Sequence, residues 1–569
     1  MVRFFSYRRG KQSCEMKTSI LNWLGALSFA LVVTMPVSAQ NPMPSDDAIR
    51  KILEERVAWK KLPGIVVGTV DEKGKRIVSV GKPTREGDGK LDGDSVFEIG
   101  SATKVFTALL LAEMAERGEV SLDDPISKFL PKSVTAPTRD GKEITLRHLA
   151  QHTSGLPRLP DNFAPKDPNN PYADYSVEQL YEFLAKHKLA RGIGEKYEYS
   201  NLGTGLLGHL LALKAGEDYE ALVIKYICEP LGMNDTRIVL TPKMKSRLAT
   251  GHDAEGKATG NWDLPTVAGA GALRSTANDL LKFLAANFAL HEAKLSAAMH
   301  QTHSVRAETD APKLQIALGW HVRSTDGGEI FWHDGGTGGY RSFIGFDKKK
   351  RRGVVVLTNS AEDLNDIGMH LLDETLEPNK PRVAVTIDPK ILDAYVGQYQ
   401  LAKDFILTVR KDGERLLVQA TGQGSTEALP ESETKFFSNE VNAQITFVKG
   451  GDGRVTHLVL HQGGDHEAKK ISDEAPKERP TVKVNPQIYE DYVGSYQLVP
   501  GFIITVTREG DKLMAQATAQ PKFEIFPESE AKFFYKVVDA QITFVKDKDG
   551  KVTHLILHQG GDREAKKIK

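Results

Sequence analysis

The sequence predicts an α/β chain: a large region of mixed helices and strands, followed by two small antiparallel β-barrels in tandem. Three observations carry that expectation. A long helical pattern follows Ser101, with Val105, Ala108, Leu109, Ala112 and Ala115 at helical spacing and Gly118 as a stop. Later in the same region, strand-like runs flank a glycine-rich junction, Glu329-Ile330-Phe331-Trp332 before it and Ser342-Phe343-Ile344-Gly345-Phe346 after it. The last third then repeats: residues 388–471 align without gaps on 485–568, and 51 of the 84 pairs are identical, which marks a duplicated domain.

Residues 1–39 read as an export signal. Arg3, Arg8, Arg9, Lys11 and Lys17 precede a mostly apolar run over 20–33, and Pro36-Val37-Ser38-Ala39 offers small residues for cleavage before Gln40. Met1 or Met16 could be the start. The apolar run is short for a membrane span, and no cysteine follows the cleavage point to take a lipid. The expected protein is periplasmic or secreted, with no membrane insertion after cleavage.

Residues 40–380 hold the chemistry. Ser101-Ala102-Thr103-Lys104 opens the helical pattern. A serine hydroxyl is a weak nucleophile until a neighbour takes its proton. At a helix start, free N–H groups and the positive dipole end favour negative charge on its oxygen or on a tetrahedral intermediate. Lys104, three residues on, shares the face of Ser101. In a dry pocket a lysine can lose its charge and act as a base, or stay charged and depress a tyrosine pKa. Tyr199 in Tyr199-Ser200-Asn201 is the candidate tyrosine, 98 residues after Ser101, between the Gly192/Gly194 loop and an apolar helical run over 202–213. His333-Asp334-Gly335-Gly336 begins 134 residues after Tyr199, and its glycines let backbone approach a substrate closely. Each motif alone is weak, but their order, spacing and contexts together read as a complete acyl-transfer site. Either Lys104 or Tyr199 could accept the serine proton.

Residues 386–472 and 483–569 are the two barrels. Short strand-like runs over 405–409, 416–420, 443–448 and 457–461 are separated by turns such as Asp412-Gly413 and Asp452-Gly453. So many short strands in so short a segment predict a small closed antiparallel sheet. A charged, proline-containing linker separates the copies.

On these motifs the chain resembles the serine β-lactamase and penicillin-binding-protein superfamily, in the branch with class C β-lactamases, D,D-carboxypeptidases, D-aminopeptidases and related esterases. The similarity runs from about residue 46 to about 376, supported by His152-Thr153-Ser154-Gly155-Leu156-Pro157, Pro230-Leu231-Gly232-Met233-Asn234-Asp235-Thr236 and Gly271-Ala272-Leu273-Arg274-Ser275-Thr276. The resemblance implies an antiparallel sheet flanked by helices, plus a helical subdomain. It implies Ser101 as nucleophile, Lys104 as its partner and Tyr199 as general base or acid. It implies that Asn201 holds Lys104 and the substrate amide, and that His333, Gly335 and Gly336 form the third, substrate-binding motif on an edge strand. The oxyanion hole would be the N–H groups of Ser101 and Gly336.

One departure bears on the substrate. The superfamily's β-lactamases and carboxypeptidases usually carry lysine where this chain has His333, which is shorter and mostly neutral near pH 7. That weakens the case for a penicillin or a C-terminal D-alanine, and it is similar to D-aminopeptidases and several esterases. The layout also resembles bacterial D-aminopeptidases with two lipocalin-like barrels. The expected activity is hydrolysis of small amides or esters, leaning to D-amino-acid amides and peptides. Alternatives are an esterase, a D,D-carboxypeptidase, a weak β-lactamase or, from another class, a non-catalytic penicillin-binding-like sensor or binding protein.

Composition narrows the partners. The chain has 75 basic and 75 acidic residues; loss of residues 1–39 removes five basic and one acidic, leaving 70 − 74 = −4. No basic footprint suits a nucleic acid. No cofactor or metal is expected, since no spaced His/Asp/Glu cluster supports one. His148 and His152 read as structural, His457/His461 and His554/His558 as surface pairs, and Trp320 and Trp332 as core or cleft wall. Cys14 falls in the signal, so Cys228 stands alone, beside Ile224, Ile227 and Leu231 at a packed helix end. The oligomeric state is open.

Overall fold

The computed structural model describes residues 43–568, apart from 87, 291–293, 403–404, 422, 439–440, 442, 463, 476–480, 500–501, 519, 521 and 537. The expected export signal lies outside the described residues. The chain divides into two units, one ending at Asn379 and one beginning at Lys380.

Alternation along buried strands sets the layers of the first unit. In the strand Arg352–Thr358, Val354 and Val356 pack with Ile49, Leu53, Ile367 and Leu371, on the helices Asp46–Lys60 and Asn365–Leu372. Val355 and Leu357 point the other way, into a larger core with Leu280, Leu281 and Leu284 of the helix Ala277–Asn287. A strand covered on both faces reads as a continuous apolar run, as this one does. The sheet has eight antiparallel strands in the order Gly74–Gly81, Gly64–Asp71, Arg352–Thr358, Arg341–Asp347, Gly328–Gly336, His321–Thr325, Leu314–Ile316 and Ala307–Glu308. The basic run over 348–352 forms the turn between two of them.

The helix Thr103–Glu116 has 11 of its 14 residues buried, because it is apolar on every side and runs through the larger core. It stops just before Gly118, at φ 71°. A helical region, including Leu146–Ala150, Val177–Lys186 and Asn201–Ala215, completes the unit. His148 caps the first of these: its Nδ1 accepts the Thr145 N–H at 3.1 Å, which gives it the structural role expected. Trp320 lies in the core.

The second unit holds two closed barrels of eight antiparallel strands each, spanning 397–472 and 494–567. One end of each is stoppered by the same aromatic cluster. Tyr395 stacks on Phe447 at 4.1 Å and Tyr492 on Phe544 at 4.3 Å. Their hydroxyls donate to the carbonyls of Glu433 (2.6 Å) and Glu530 (2.9 Å), tying the helical turn before the first strand to a hairpin across the barrel end. Buried phenols need such partners. The α/β fold with two terminal barrels is the one the sequence predicts.

Arg56, 3% exposed, donates to Asp366 at 3.1 Å and to the Asn379 carbonyl at 2.9 Å, so the first unit extends fully to Asn379. A chain ending at Asn379 is expected to unfold in one cooperative calorimetric transition. A chain ending at Asp373 should melt several degrees lower, since it loses the Asn379 acceptor and the packing of Leu376.

Candidate active site

Ser101 sits in a single helical turn, Gly100–Ala102, that runs straight into the helix Thr103–Glu116. Lys104, one turn on, is fully buried, and its Nζ has three partners: Ser101 Oγ at 3.0 Å, Asn201 Oδ1 at 2.9 Å and the Ala270 carbonyl at 2.7 Å. All three are uncharged. Burial pushes the amine's pKa well below the usual lysine value, nearby Arg158 pushes the same way, and Asp334 opposes them more weakly. The partner set suits a neutral amine. Two carbonyl-type oxygens can only accept, and they take its two N–H bonds. The third partner is a hydroxyl, which can donate to the remaining lone pair.

Each partner has a local cause. Ser200 Oγ accepts the Gly203 N–H at 2.8 Å and caps the helix Asn201–Ala215. A cap of this kind is worth about 1 kcal/mol. It fixes Asn201 as the first helical residue and Tyr199 just outside the helix. Ala270 arrives because two glycines touch: a Cβ on Gly208 would lie 2.9 Å from the Gly269 Cα. Asn201 Nδ2 also donates to Tyr172 Oη at 3.2 Å, which orients its oxygen toward Lys104.

Burial holds the Tyr199 phenol well above the usual tyrosine range, and neighbouring Ser101 opposes that more weakly. Its ring lies 4.6 Å from the His152 ring, 4.9 Å from Lys104 Nζ and 5.1 Å from the Arg158 guanidinium. The Ser200 N–H donates to His152 Nδ1 at 3.1 Å, so His152 is a neutral imidazole that supports the tyrosine loop. Burial thus biases both groups toward their uncharged forms, lowering the pKa of the amine and raising that of the phenol.

The strand Gly328–Gly336 brings the third motif. It lies inside the sheet, but its pairing with His321–Thr325 ends at Trp332, so residues 333–336 form a local edge. This refines the edge-strand expectation: the strand is interior and only its end is free on one side. The end presses on the nucleophile turn. A Cβ on Gly335 would lie 1.9 Å from the Ile99 carbonyl, and one on Gly100 would lie 2.6 Å from the Gly336 nitrogen. Ser342 Oγ donates to that same Ile99 carbonyl at 2.7 Å. The backbone around Gly336 is thus clamped beside the turn that holds Ser101, where two N–H groups can meet one oxyanion.

His333 is only 1% exposed, with its ring 6.2 Å from Tyr199 and 5.2 Å from His321. Its Nδ1 lies 2.5 Å from the Asp334 carbonyl, which leaves Nε2 as an acceptor. His321 bonds Tyr197 Oη at 3.0 Å, stacks on Trp332, and is held down to about pKa 4 by burial. Burial also pushes His152 and His333 well below the usual histidine value.

Structure thus brings Ser101, Lys104, Tyr199, Asn201, His333, Gly335 and Gly336 together. The sequence reading missed Arg158, Tyr172, Tyr197, His321 and the Ala270 carbonyl. Arg158 directly follows the quoted stretch ending at Pro157, and Tyr197 lies two residues before Tyr199; a backbone carbonyl leaves no side-chain signal. Cys228 is buried and its thiol is pushed up to about 12, so it holds no thiolate for chemistry. Among the described residues no group of three or more His, Cys, Asp or Glu is placed to hold a metal.

A serine on a helix start beside a buried lysine, on an antiparallel sheet with helices on both faces, defines the β-lactamase and penicillin-binding-protein class of hydrolases. The chain belongs to the β-lactamase family, whose profile matches residues 49–372. A domain of unknown function, DUF3471, matches 381–474 and again 478–567. The chain is 29% identical over 390 residues to a D-alanyl-D-alanine-carboxypeptidase/endopeptidase, AmpH, of Escherichia coli K12, covering 65% of this chain and 99% of that one. It is 25% identical over 352 residues to a β-lactamase of Pseudomonas fluorescens, covering 55% and 93%. Among solved structures, an octameric penicillin-binding protein homologue from Pyrococcus abyssi matches with a TM-score of 0.54 and 24% identity, over 75% of this chain and all of that one. A class C β-lactamase matches with a TM-score of 0.52 and 21% identity, over 59% and 97%.

Two outcomes follow from this geometry. Gly335→Ala places a methyl against the Ile99 backbone, so it should lower Tm and slow acylation by a fluorophosphonate at least tenfold. Separately, His152, His321 and His333 have folded pKa values below the unfolded 6.5. Their contribution is present above pH 6.5 and is lost as pH falls through the folded values, about 4 for His321. Thermal melts should therefore drop between pH 7 and 4, and the drop should be smaller in His321→Gln.

Proposed function

We propose that this protein is an exported serine hydrolase that forms an acyl-enzyme at Ser101. The carrying observation is the 3.0 Å contact between Ser101 Oγ and a buried Lys104 whose other two partners are carbonyl oxygens. In acylation Ser101 Oγ attacks the substrate carbonyl carbon while its proton passes to Lys104 Nζ. The oxyanion is taken by the N–H groups of Ser101 and Gly336. Tyr199, a phenol beside Ser101, delivers a proton to the leaving amine or alkoxide and is recharged from Lys104. Water then attacks the ester, giving up its proton to the same pair, and the acid leaves with Ser101 restored.

The substrates are small amides or esters, leaning to D-amino-acid amides and peptides. Two features support this. His333 supplies no cation in the third motif, and Asp334 is close enough to oppose the pKa shifts of Lys104 and His321. An anion beside the cleft favours a substrate with a free α-ammonium group. A second reading rests on Arg158, whose exposed guanidinium lies 5.1 Å from the Tyr199 ring and offers a partner for a carboxylate, as a D,D-carboxypeptidase needs. Export rests on the signal pattern of residues 1–39, and N-terminal analysis should find Gln40 first. Among the described residues no helix is long and apolar enough to cross a membrane.

A panel of a D-alanine anilide, a neutral acetate ester, a D-Ala-D-Ala peptide and a chromogenic cephalosporin separates these readings. Ser101→Ala should lose all turnover, and Lys104→Arg and Tyr199→Phe should each lose roughly 10²-fold or more. An ion pair at about 4 Å is worth roughly 1 to 4 kcal/mol. Asp334→Asn should accordingly raise KM for the anilide about tenfold and leave the ester unchanged. If Arg158→Ala instead cripples a dominant D-Ala-D-Ala activity, the carboxypeptidase reading stands. For the ester, kcat/KM should rise through a pKa well below that of ordinary lysine; a limb at the ordinary value would rule out a Lys104 that is uncharged at rest.

A further inference from the structure

The two barrels are an internal comparison: one fold, one core, and different residues at one end. In the first barrel an apolar pocket of about 110 Å³ opens at the end where the strands Phe405–Asp412, Ser425–Pro430 and Gln444–Lys449 begin. Leu407, Ala428, Phe436 and Ile445 form its buried floor, and Gln423 and Gln462 stand exposed at the rim. None of the described lining residues is charged.

In the second copy the same positions carry larger groups. Thr426, Ala428 and Ser438 correspond to Phe523, Ile525 and Tyr535. Ile525 is buried, and Tyr535 packs against the barrel core. The walls register the difference. Val418 and Leu460 are only half-buried in the first barrel, whereas their counterparts Ala515 and Leu557 are 1% and 8% exposed. An eight-stranded barrel is just wide enough for side chains to fill it, or to hold one small ligand when they do not. Here larger side chains occupy positions in one copy that line an open pocket in the other.

We infer that the first barrel is a binding site for the apolar end of a small neutral amphiphile, and that the second barrel is its filled, non-binding counterpart. The volume sets the size. An apolar cavity of about 150 Å³ takes benzene, so this pocket accepts a short alkyl chain or ring edge, with the rest of the ligand emerging past the rim amides. The described lining offers amides and hydroxyls as partners for a neutral headgroup, and no charged group among them pairs with a carboxylate or ammonium. The inference is independent of the acyl-transfer reading.

The test is titration of the full-length protein with 1-butanol, 1-hexanol and hexanoate, read by saturation-transfer NMR. Affinity should rise about fourfold for each added methylene that the pocket buries, and hexanoate should bind at least tenfold more weakly than hexanol. The variant Thr426→Phe/Ala428→Ile/Ser438→Tyr installs the residues with which the second copy folds, and should lose hexanol binding at least tenfold while ester turnover is kept. Thr426→Phe alone serves if the triple variant misfolds. Phe523→Thr/Ile525→Ala/Tyr535→Ser should raise the stoichiometry from one to two. A wild type that binds no alcohol, or a folded filled variant that binds hexanol unchanged, overturns the inference. Hexanoate binding as well as hexanol would overturn the neutral headgroup.

Discussion

A lysine with no exposed surface and no anion against it is the constraint on which the catalytic unit turns. Moving an ammonium ion into a medium of low dielectric costs several kcal/mol even after relaxation. Asp334 acts on Lys104 only as a weaker, opposing influence, so burial prevails and the proton is the cheaper thing to give up. The surrounding architecture serves that outcome. The all-apolar helix Thr103–Glu116 takes Lys104 into the core, the cap at Ser200 sets Asn201 against it, and the Gly208–Gly269 contact brings the Ala270 carbonyl. A carboxylate in place of either acceptor would hold the proton on the amine and remove the base. The neutral phenol of Tyr199 is the counterpart, raised by the same burial that lowers the lysine. One dry pocket thus pushes the pKa values of the two groups apart, an arrangement suited to paired acid and base groups.

Much of this was legible in the sequence, for reasons that differ by element. The nucleophile helix was readable because its apolar spacing, its glycine stop and the Ser–Lys spacing all act locally. The tyrosine loop was readable because Ser200 and the glycines before it mark a helix start. The barrels were readable because duplication doubles every strand and turn signal. What escaped were relations between distant segments. Ala270 contributes a main-chain oxygen, which composition does not betray. His321 sits in an otherwise ordinary strand and joins the site through sheet pairing with Trp332, its bond to Tyr197 and its packing on His333. The edge at His333 depends on where the neighbouring strand stops, and pairing length is not encoded in the residues of the strand itself.

The third motif shows how one substitution changes the meaning of a conserved-looking geometry. Gly335 and Gly100 are demanded by close backbone approach, with less than 3 Å available for a side-chain carbon at either position. Those glycines place the strand against the nucleophile whatever precedes them. His333 is free of that demand, and burial keeps it neutral. The oxyanion geometry and the charge of the motif are therefore separate properties: the first is set by glycine sterics, the second by a single side chain. A site of this build can keep the machinery of acyl transfer while its preference for charged substrates is reset by Asp334 and Arg158 around it.

The barrels separate stability from variation in the same way, but along an axis. At one end, the stacked tyrosine and phenylalanine and the tyrosine-to-carbonyl bonds recur with nearly the same geometry in both copies. A second tyrosine in each, Tyr399 or Tyr496, donates to the carbonyl of the first, at 2.8 and 2.7 Å. Breaking such a network strands a buried phenol, which costs more than the bond itself contributes. Substitution there should destabilise either copy. Among the described residues at the open end no buried tyrosine ties strands together in this way, and there the two interiors differ side chain by side chain. Filling removes apolar wall from water and stabilises the barrel, as at Ile525; leaving it empty forgoes that gain. A copy that retains small residues where its twin has large ones has kept a less stable interior. That asymmetry is the pattern expected when one of two duplicated domains holds a ligand and the other holds only its fold.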